Sequence, residues 1–148
     1  MNGGGLYYAS QEVFQILGTK SGTTRTPVTL PASYNGTVTK TIATGGYSKL
    51  NLDINYTEGA AEGTNSIQVK IECSADGTNF YRIPNEAVSA GTSTLTAREF
   101  TFSGAGGGAT ATISIGLDIF YKWMKISAKE TFVTNAGTVF MEATLSGK

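Results

Sequence analysis

Histidine is absent from the chain and cysteine occurs once, at Cys73. Without histidine there is no Ser-His-Asp or Cys-His machinery. The common zinc sites, which need histidine or several cysteines, are excluded with it. A single cysteine cannot form an intramolecular disulfide. Cys73 ends the alternating run Ile67, Val69, Ile71, Cys73, where a strand points it to the apolar face, so a buried and inert thiol is expected. Charge is scarce as well: 15% of residues are charged, against about 25% in an ordinary soluble domain. The 11 basic and 11 acidic residues cancel and are interspersed along the chain. No run of Lys or Arg supplies the electrostatic footprint of a nucleic-acid binder, so no direct nucleic-acid partner is expected. Apolar runs are too short to cross a bilayer, and Met1-Asn2-Gly3-Gly4-Gly5 has neither the basic nor the apolar region of a secretory signal. The expectation is a chain made in a cytoplasm, soluble, with no membrane partner, no metal, no cofactor and no catalytic residue.

Thr, Ser, Asn and Gly fill the place of the missing charges. A surface of that kind is cheaper to desolvate than one covered in Lys and Glu, which suits a chain that ends up against neighbours. A plain extracellular β domain has the same composition, and composition leaves both readings open. With 148 residues the chain is one domain's length and can bury a core unaided.

The apolar period is two. Leu50, Leu52, Ile54 and Tyr56 alternate with polar residues, as do Ile67, Val69, Ile71 and Cys73; Val139 to Leu145 follows the same rule except at Phe140. Such alternation marks a strand with one buried face. Weaker strand patterns run over residues 12–17, 37–43, 79–83, 94–102, 109–115 and 120–128. No amphipathic helical pattern of ten residues occurs. Eight or nine short strands separated by turns predict an all-β antiparallel sandwich, jelly-roll-like, with the sandwich domain at residues 37–148 and an extended N-terminal arm and loop at residues 1–36. Asp76-Gly77, Asn35-Gly36, Gly45-Gly46 and Asn135-Ala136-Gly137 mark turns, the first a hairpin signal. Pro84 is expected to close the strand before it. Leu95 and Ala97 lie in one phase and Phe100 and Phe102 in the other, which predicts a bulge or bend near Arg98 and Glu99.

The glycine-rich start leads into Leu6, Tyr7 and Tyr8. Such an arm is either a plain linker or a segment that orders against a partner chain. Residues 120–126 form the most aromatic stretch. Alternation places Phe120, Met124 and Ile126 on one face and Tyr121 and Trp123 on the other, where they pack internally, anchor a protein contact or stack on a sugar. Glu58 and Glu62 flank a Gly-Ala loop, with Asp53 and Asp118 elsewhere. Solvated acids are the simpler reading than a calcium site. Asn35-Gly36-Thr37 and Asn55-Tyr56-Thr57 match the glycosylation pattern, which has no meaning without a secretory signal.

The run Ile71-Glu72-Cys73-Ser74-Ala75-Asp76-Gly77-Thr78-Asn79-Phe80-Tyr81-Arg82-Ile83 resembles a phrase of virion structural proteins of tailed bacteriophages: a strand ending in Ser, an Asp-Gly-Thr-Asn turn, then an aromatic pair. Residues 120–127 and a Gly-Thr-Val turn-strand near residue 138 are similar to the same group, so the resemblance spans roughly the second half of the chain. Sugar-binding sandwiches share the phrase. The resemblance implies a non-enzymatic protein of the virion, foremost a capsid decoration (cement) protein that binds the major capsid protein lattice, acts as a homo-oligomer and carries no catalytic residue. Leu6, Tyr7, Tyr8, Tyr121 and Trp123 are the expected partner contacts. A tail, collar or head-fibre component and a carbohydrate-binding module are the alternatives.

Overall fold

The computed structural model describes residues 11–59, 65–104, 106–132 and 134–147. Leu6, Tyr7, Tyr8 and Glu62 lie outside the described residues. Among the described residues fourteen strands follow one another: β1 (Glu12–Leu17), β2 (Thr19–Ser21), β3 (Thr24–Thr26), β4 (Val28–Thr29), β5 (Thr39–Ala43), β6 (Lys49–Thr57), β7 (Ser66–Ser74), β8 (Tyr81–Arg82), β9 (Pro84–Ser89), β10 (Thr92–Ala97), β11 (Glu99–Ser103), β12 (Thr110–Asp118), β13 (Trp123–Thr131) and β14 (Thr138–Ser146). The first sheet has the order β1-β14-β6-β12, with β4 also on β14; the second has the order β11-β7-β13-β5, with β8 also on β7. All pairs are antiparallel.

The eight principal strands pair as nested brackets: β1 with β14, β5 with β13, β6 with β12, β7 with β11. One long hairpin is thus folded over on itself, and the roll is closed by β14 against β6 and β13 against β7. That is the connectivity of a jelly roll. The count exceeds the expected eight or nine because two hairpins and two short strands are added at the edges. β2–β3 interrupts one edge, since β1 and β4 run the same way along β14. β9–β10 interrupts another, since β8 and β11 run the same way along β7.

The core lies between the sheets. Leu50, Leu52, Ile54 and Tyr56 of β6 and Val139, Met141, Ala143 and Leu145 of β14 face Ile67, Val69 and Ile71 of β7 and Met124, Ile126 and Ala128 of β13, all at most 2% exposed. Each Leu, Ile, Val or Met among them contributes about 1.5–3 kcal/mol when fully withdrawn from water. The register shift between Gln15 and Leu17 in β1 turns both Ile16 and Leu17 inward, as an extra bulge residue does.

Several expectations change. The boundary at residue 36 does not divide the sheets, because β1 and β4 belong to the first one. The bend expected near Arg98 is a change of partner: β10 pairs with β9, β11 with β7, and the Arg98 N–H between them donates to Ile83 O. Pro84 opens β9 and does not simply end a strand; its ladder partner is Ala97, at the last residue of β10, where a missing donor is tolerated. Phe140, the exception to alternation, is 2% exposed yet on the outer face. The β2–β3 hairpin covers it, with the Arg25 guanidinium 5.2 Å from its ring centroid and the Cα of Gly18 so close that a Cβ there would come within 3.0 Å of the ring.

Candidate functional site

The antiparallel register puts the connections at residues 44–48, 75–80 and 119–122 at one end of the sandwich. Between the β8 and β12 ends lies a cleft of about 510 Å³, lined among others by Cys73, Tyr81, Ile83, Leu117, Phe120 and Tyr121. Its rim carries the most exposed aromatics among the described residues: Phe120 at 83%, Tyr81 at 71% and Tyr121 at 48%. The expectation that Phe120 shares the inner face with Met124 and Ile126 is overturned. β13 begins only at Trp123, and the residue that turns inward ahead of it is Ile119.

The segment that presents Phe120 and Tyr121 is held at both ends. Ile119 N–H donates to Ser48 O, and Lys122 O accepts from both Thr44 N–H and Gly45 N–H. The fully buried Thr44 hydroxyl donates to Tyr121 O at 2.7 Å. The aromatics therefore stand on a fixed backbone, which lowers the ordering cost of any contact they make.

Charged groups around the cleft already have partners. Asp118 pairs with Lys49, Arg82 with Glu99 at 3.4 Å, and the Arg98 guanidinium stacks 4.8 Å from the centroid of Phe100. At the floor, burial, and after it the neighbouring Glu72, push the Cys73 thiol up to about 11. It is thus a neutral thiol near pH 7, and far from the depressed values of a reactive cysteine.

Trp123 sits apart from the cleft. It is on the outer face of the second sheet, 37% exposed, with the Asp76-Gly77 turn laid over its ring; a Cβ on Gly77 would be 3.1 Å from it. Asp76 builds that turn. Its carboxylate accepts from Thr78 N–H and Asn79 N–H at 2.8 Å, from Asn79 Nδ2 at 2.7 Å and from the Ser74 hydroxyl at 2.9 Å. These bonds, the Asn79 backbone first, hold it far below the ordinary carboxylate range. The hairpin expected at Asp76-Gly77 exists, as a longer loop joining β7 to β8. Tyr121 and Trp123, grouped by alternation, thus do different things: Tyr121 belongs to the cleft and Trp123 to the roofed outer face.

The opposite end buries polar groups. Glu130, 1% exposed, accepts from Tyr56 OH and from Gly137 N–H at 2.5 Å and from Asn65 Nδ2 at 3.4 Å. Glu58, 3% exposed, accepts from Asn65 N–H at 2.9 Å. The sequence signal for Glu130 was its phase, since Met124, Ile126 and Ala128 put it next in the inward row. Among the described residues no group of three or more His, Cys, Asp or Glu side chains is placed to hold a metal ion.

A scan of known protein families finds no match to this chain, and a search of curated proteins finds no relative.

Proposed function

We propose that the protein is a non-enzymatic structural component of a tailed-phage virion, foremost a capsid decoration protein that docks on the major capsid protein lattice through the cleft end. The observation that carries the reading is the rim of Tyr81, Phe120 and Tyr121, exposed on a pinned backbone around an apolar-floored cleft. Large aromatics that are exposed and pre-ordered are what a protein interface uses as anchors. The low charge of the chain keeps the desolvation cost of such a contact small. Jelly rolls serve both viral capsids and lectins, so the fold alone does not choose a function. Repetition over a lattice lets modest single contacts suffice. In this reading Leu6, Tyr7 and Tyr8 of the arm add contacts beyond the cleft.

The test is titration of the chain onto phage capsids stripped of minor proteins. Saturable binding that falls in Phe120→Ala and Tyr121→Ala supports the reading. No binding to capsids, with binding to tails or fibres instead, moves the protein elsewhere in the virion.

One observation favours a carbohydrate-binding module as the second reading. The same cleft combines aromatic rims with Arg82, Arg98 and Asp118, groups able to hydrogen-bond sugar hydroxyls. Glycan binding lost in Tyr81→Ala or Tyr121→Ala, by a chain that ignores capsids, would establish it.

A further inference from the structure

The two sheets have four edges, and three are blunted. The β1/β4 edge carries a bulge and is broken by the β2–β3 hairpin. The β11/β8 edge is broken by the β9–β10 hairpin and carries Glu99 and Arg82. The β5 edge has five residues and exposes Lys40. These are the usual protections against strand addition. β12 has none of them. Its nine residues, Thr-Ala-Thr-Ile-Ser-Ile-Gly-Leu-Asp, pair with β6 without a break, and the only charge is Asp118 at the last position.

The backbone groups on that edge can be assigned. Glu58 N–H donates to Ala109 O and Ile119 N–H to Ser48 O, in register with the β12–β6 ladder. Hydrogen-bonded pairs alternate along an antiparallel ladder, so the odd residues 109–119 bond to β6. The N–H and C=O groups of Thr110, Thr112, Ser114, Gly116 and Asp118 therefore point away from it, and no described strand pairs with them. Beside them, Ile113 and Leu117 remain half-buried and pack at the margin of the core, as do Phe100 and Phe102 of β11.

We propose that β12 pairs antiparallel with β12 of a second copy of this chain, about a two-fold axis at Ser114. That register joins outward-facing groups only: Ser114 meets Ser114, Thr112 meets Gly116, and Thr110 meets Asp118. On the inner face it sets Ile113 against Ile115 and Ala111 against Leu117. No like charges are opposed. The nearest acid on the outer face, Asp53, is the ladder partner of Ser114. Its counterpart in the second copy lies three strand spacings away, about 14 Å, beyond a Debye length of about 8 Å at physiological salt. Two first sheets become one continuous sheet, and the unblunted edge is removed in both copies. This pairing meets the cleft at Gly116, Leu117 and Asp118, which line it, and is told apart from particle binding by its variants, since Ser114 does not line the cleft.

The experiment is light scattering of the full chain with two variants. Wild type is expected as a dimer. Ser114→Pro is expected as a folded monomer, because the Ser114 N–H has no partner among the described residues and only the intermolecular pair is lost. Ser114→Cys is expected to close a disulfide across the axis under mild oxidation, the paired Cα atoms being about 5.5 Å apart. Thr110→Cys should stay unlinked, its two copies being about 27 Å apart in this register. A monomeric wild type, a Ser114→Pro variant that is still dimeric, or a dimer lost on deletion of residues 1–10 would each overturn the proposal. The capsid titration is read separately: a dimer that ignores capsids sinks the decoration reading and leaves this one standing.

Discussion

The two ends of the sandwich solve opposite problems. At the end formed by Tyr56, Asn65, Glu130 and Gly137, polar groups are taken out of water and bonded to one another. At the other end, apolar groups are left in water on a backbone fixed by Thr44, Ser48 and Lys122. The first arrangement makes a tightly packed end. The second leaves large aromatic side chains exposed on a pinned backbone. Under the function proposed above, stability and recognition are separated along the strand direction, and substitutions at the two ends should separate in the same way.

The largest loss of stability is expected from Glu130→Ala, which strands the Gly137 N–H and the Asn65 side-chain amide inside the protein and breaks the carboxylate's bond to the Tyr56 hydroxyl. A penalty of about 3 kcal/mol follows from leaving buried groups unpaired, read as the shift in urea midpoint at constant slope. Gly137→Ala comes next. Its Cβ would lie 2.4 Å from Thr57 O and 2.6 Å from Glu130 Oε1, an overpacking worth about 2 kcal/mol by the same measurement.

Asp76→Asn should lower the melting temperature more gently, and with a pH signature. The folded carboxylate is held below its ordinary value by the Asn79 and Thr78 N–H groups. Its contribution is therefore present above the unfolded value of about 3.9 and is lost as pH falls toward the folded value. The variant should show a flatter acid limb than wild type in melting curves; an identical limb would remove Asp76 from the account.

At the cleft end, Phe120→Ala should change stability by no more than about 0.5 kcal/mol while lowering the capsid binding proposed above. A large destabilisation there would erase the contrast between the ends. The smallest effect belongs to Cys73. Its raised thiol favours the folded state below the ordinary thiol range and loses that contribution as pH climbs toward about 11. Thiol reagents should react with it slowly at neutral pH in the folded chain and quickly after unfolding.

Alternation made the central strands legible. β6, β7 and β14 are each flanked on both sides by other strands, so one face is wholly core and the period of two survives intact. It failed where a side chain is covered by something other than the facing sheet. Phe140 is buried under a hairpin whose sequence, Thr19 to Thr26, is polar and reads as loop. Phe120 looked inward because its phase was extended past the start of β13, where the chain is no longer a strand. Glu130 could have been found by carrying the inward row of β13 two residues further. The aromatic character of residues 120–123 was plain, but the cleft was not, because Tyr81 and Leu117 reach it from strands far away in the chain.

The position of β14 has a consequence for how the chain is made. Synthesis proceeds from β1 to β14, yet β14 lies inside the first sheet, with β1 and β4 on one side and β6 on the other. Until it leaves the ribosome, β1 has no ladder partner and the inner faces of β7 and β13 have half a cover. Partial folding of the nascent chain gains little, because non-local pairing is rewarded only when the loop closes. The domain is thus expected to fold only once β14 has emerged, as one event, with β14 acting as the keystone.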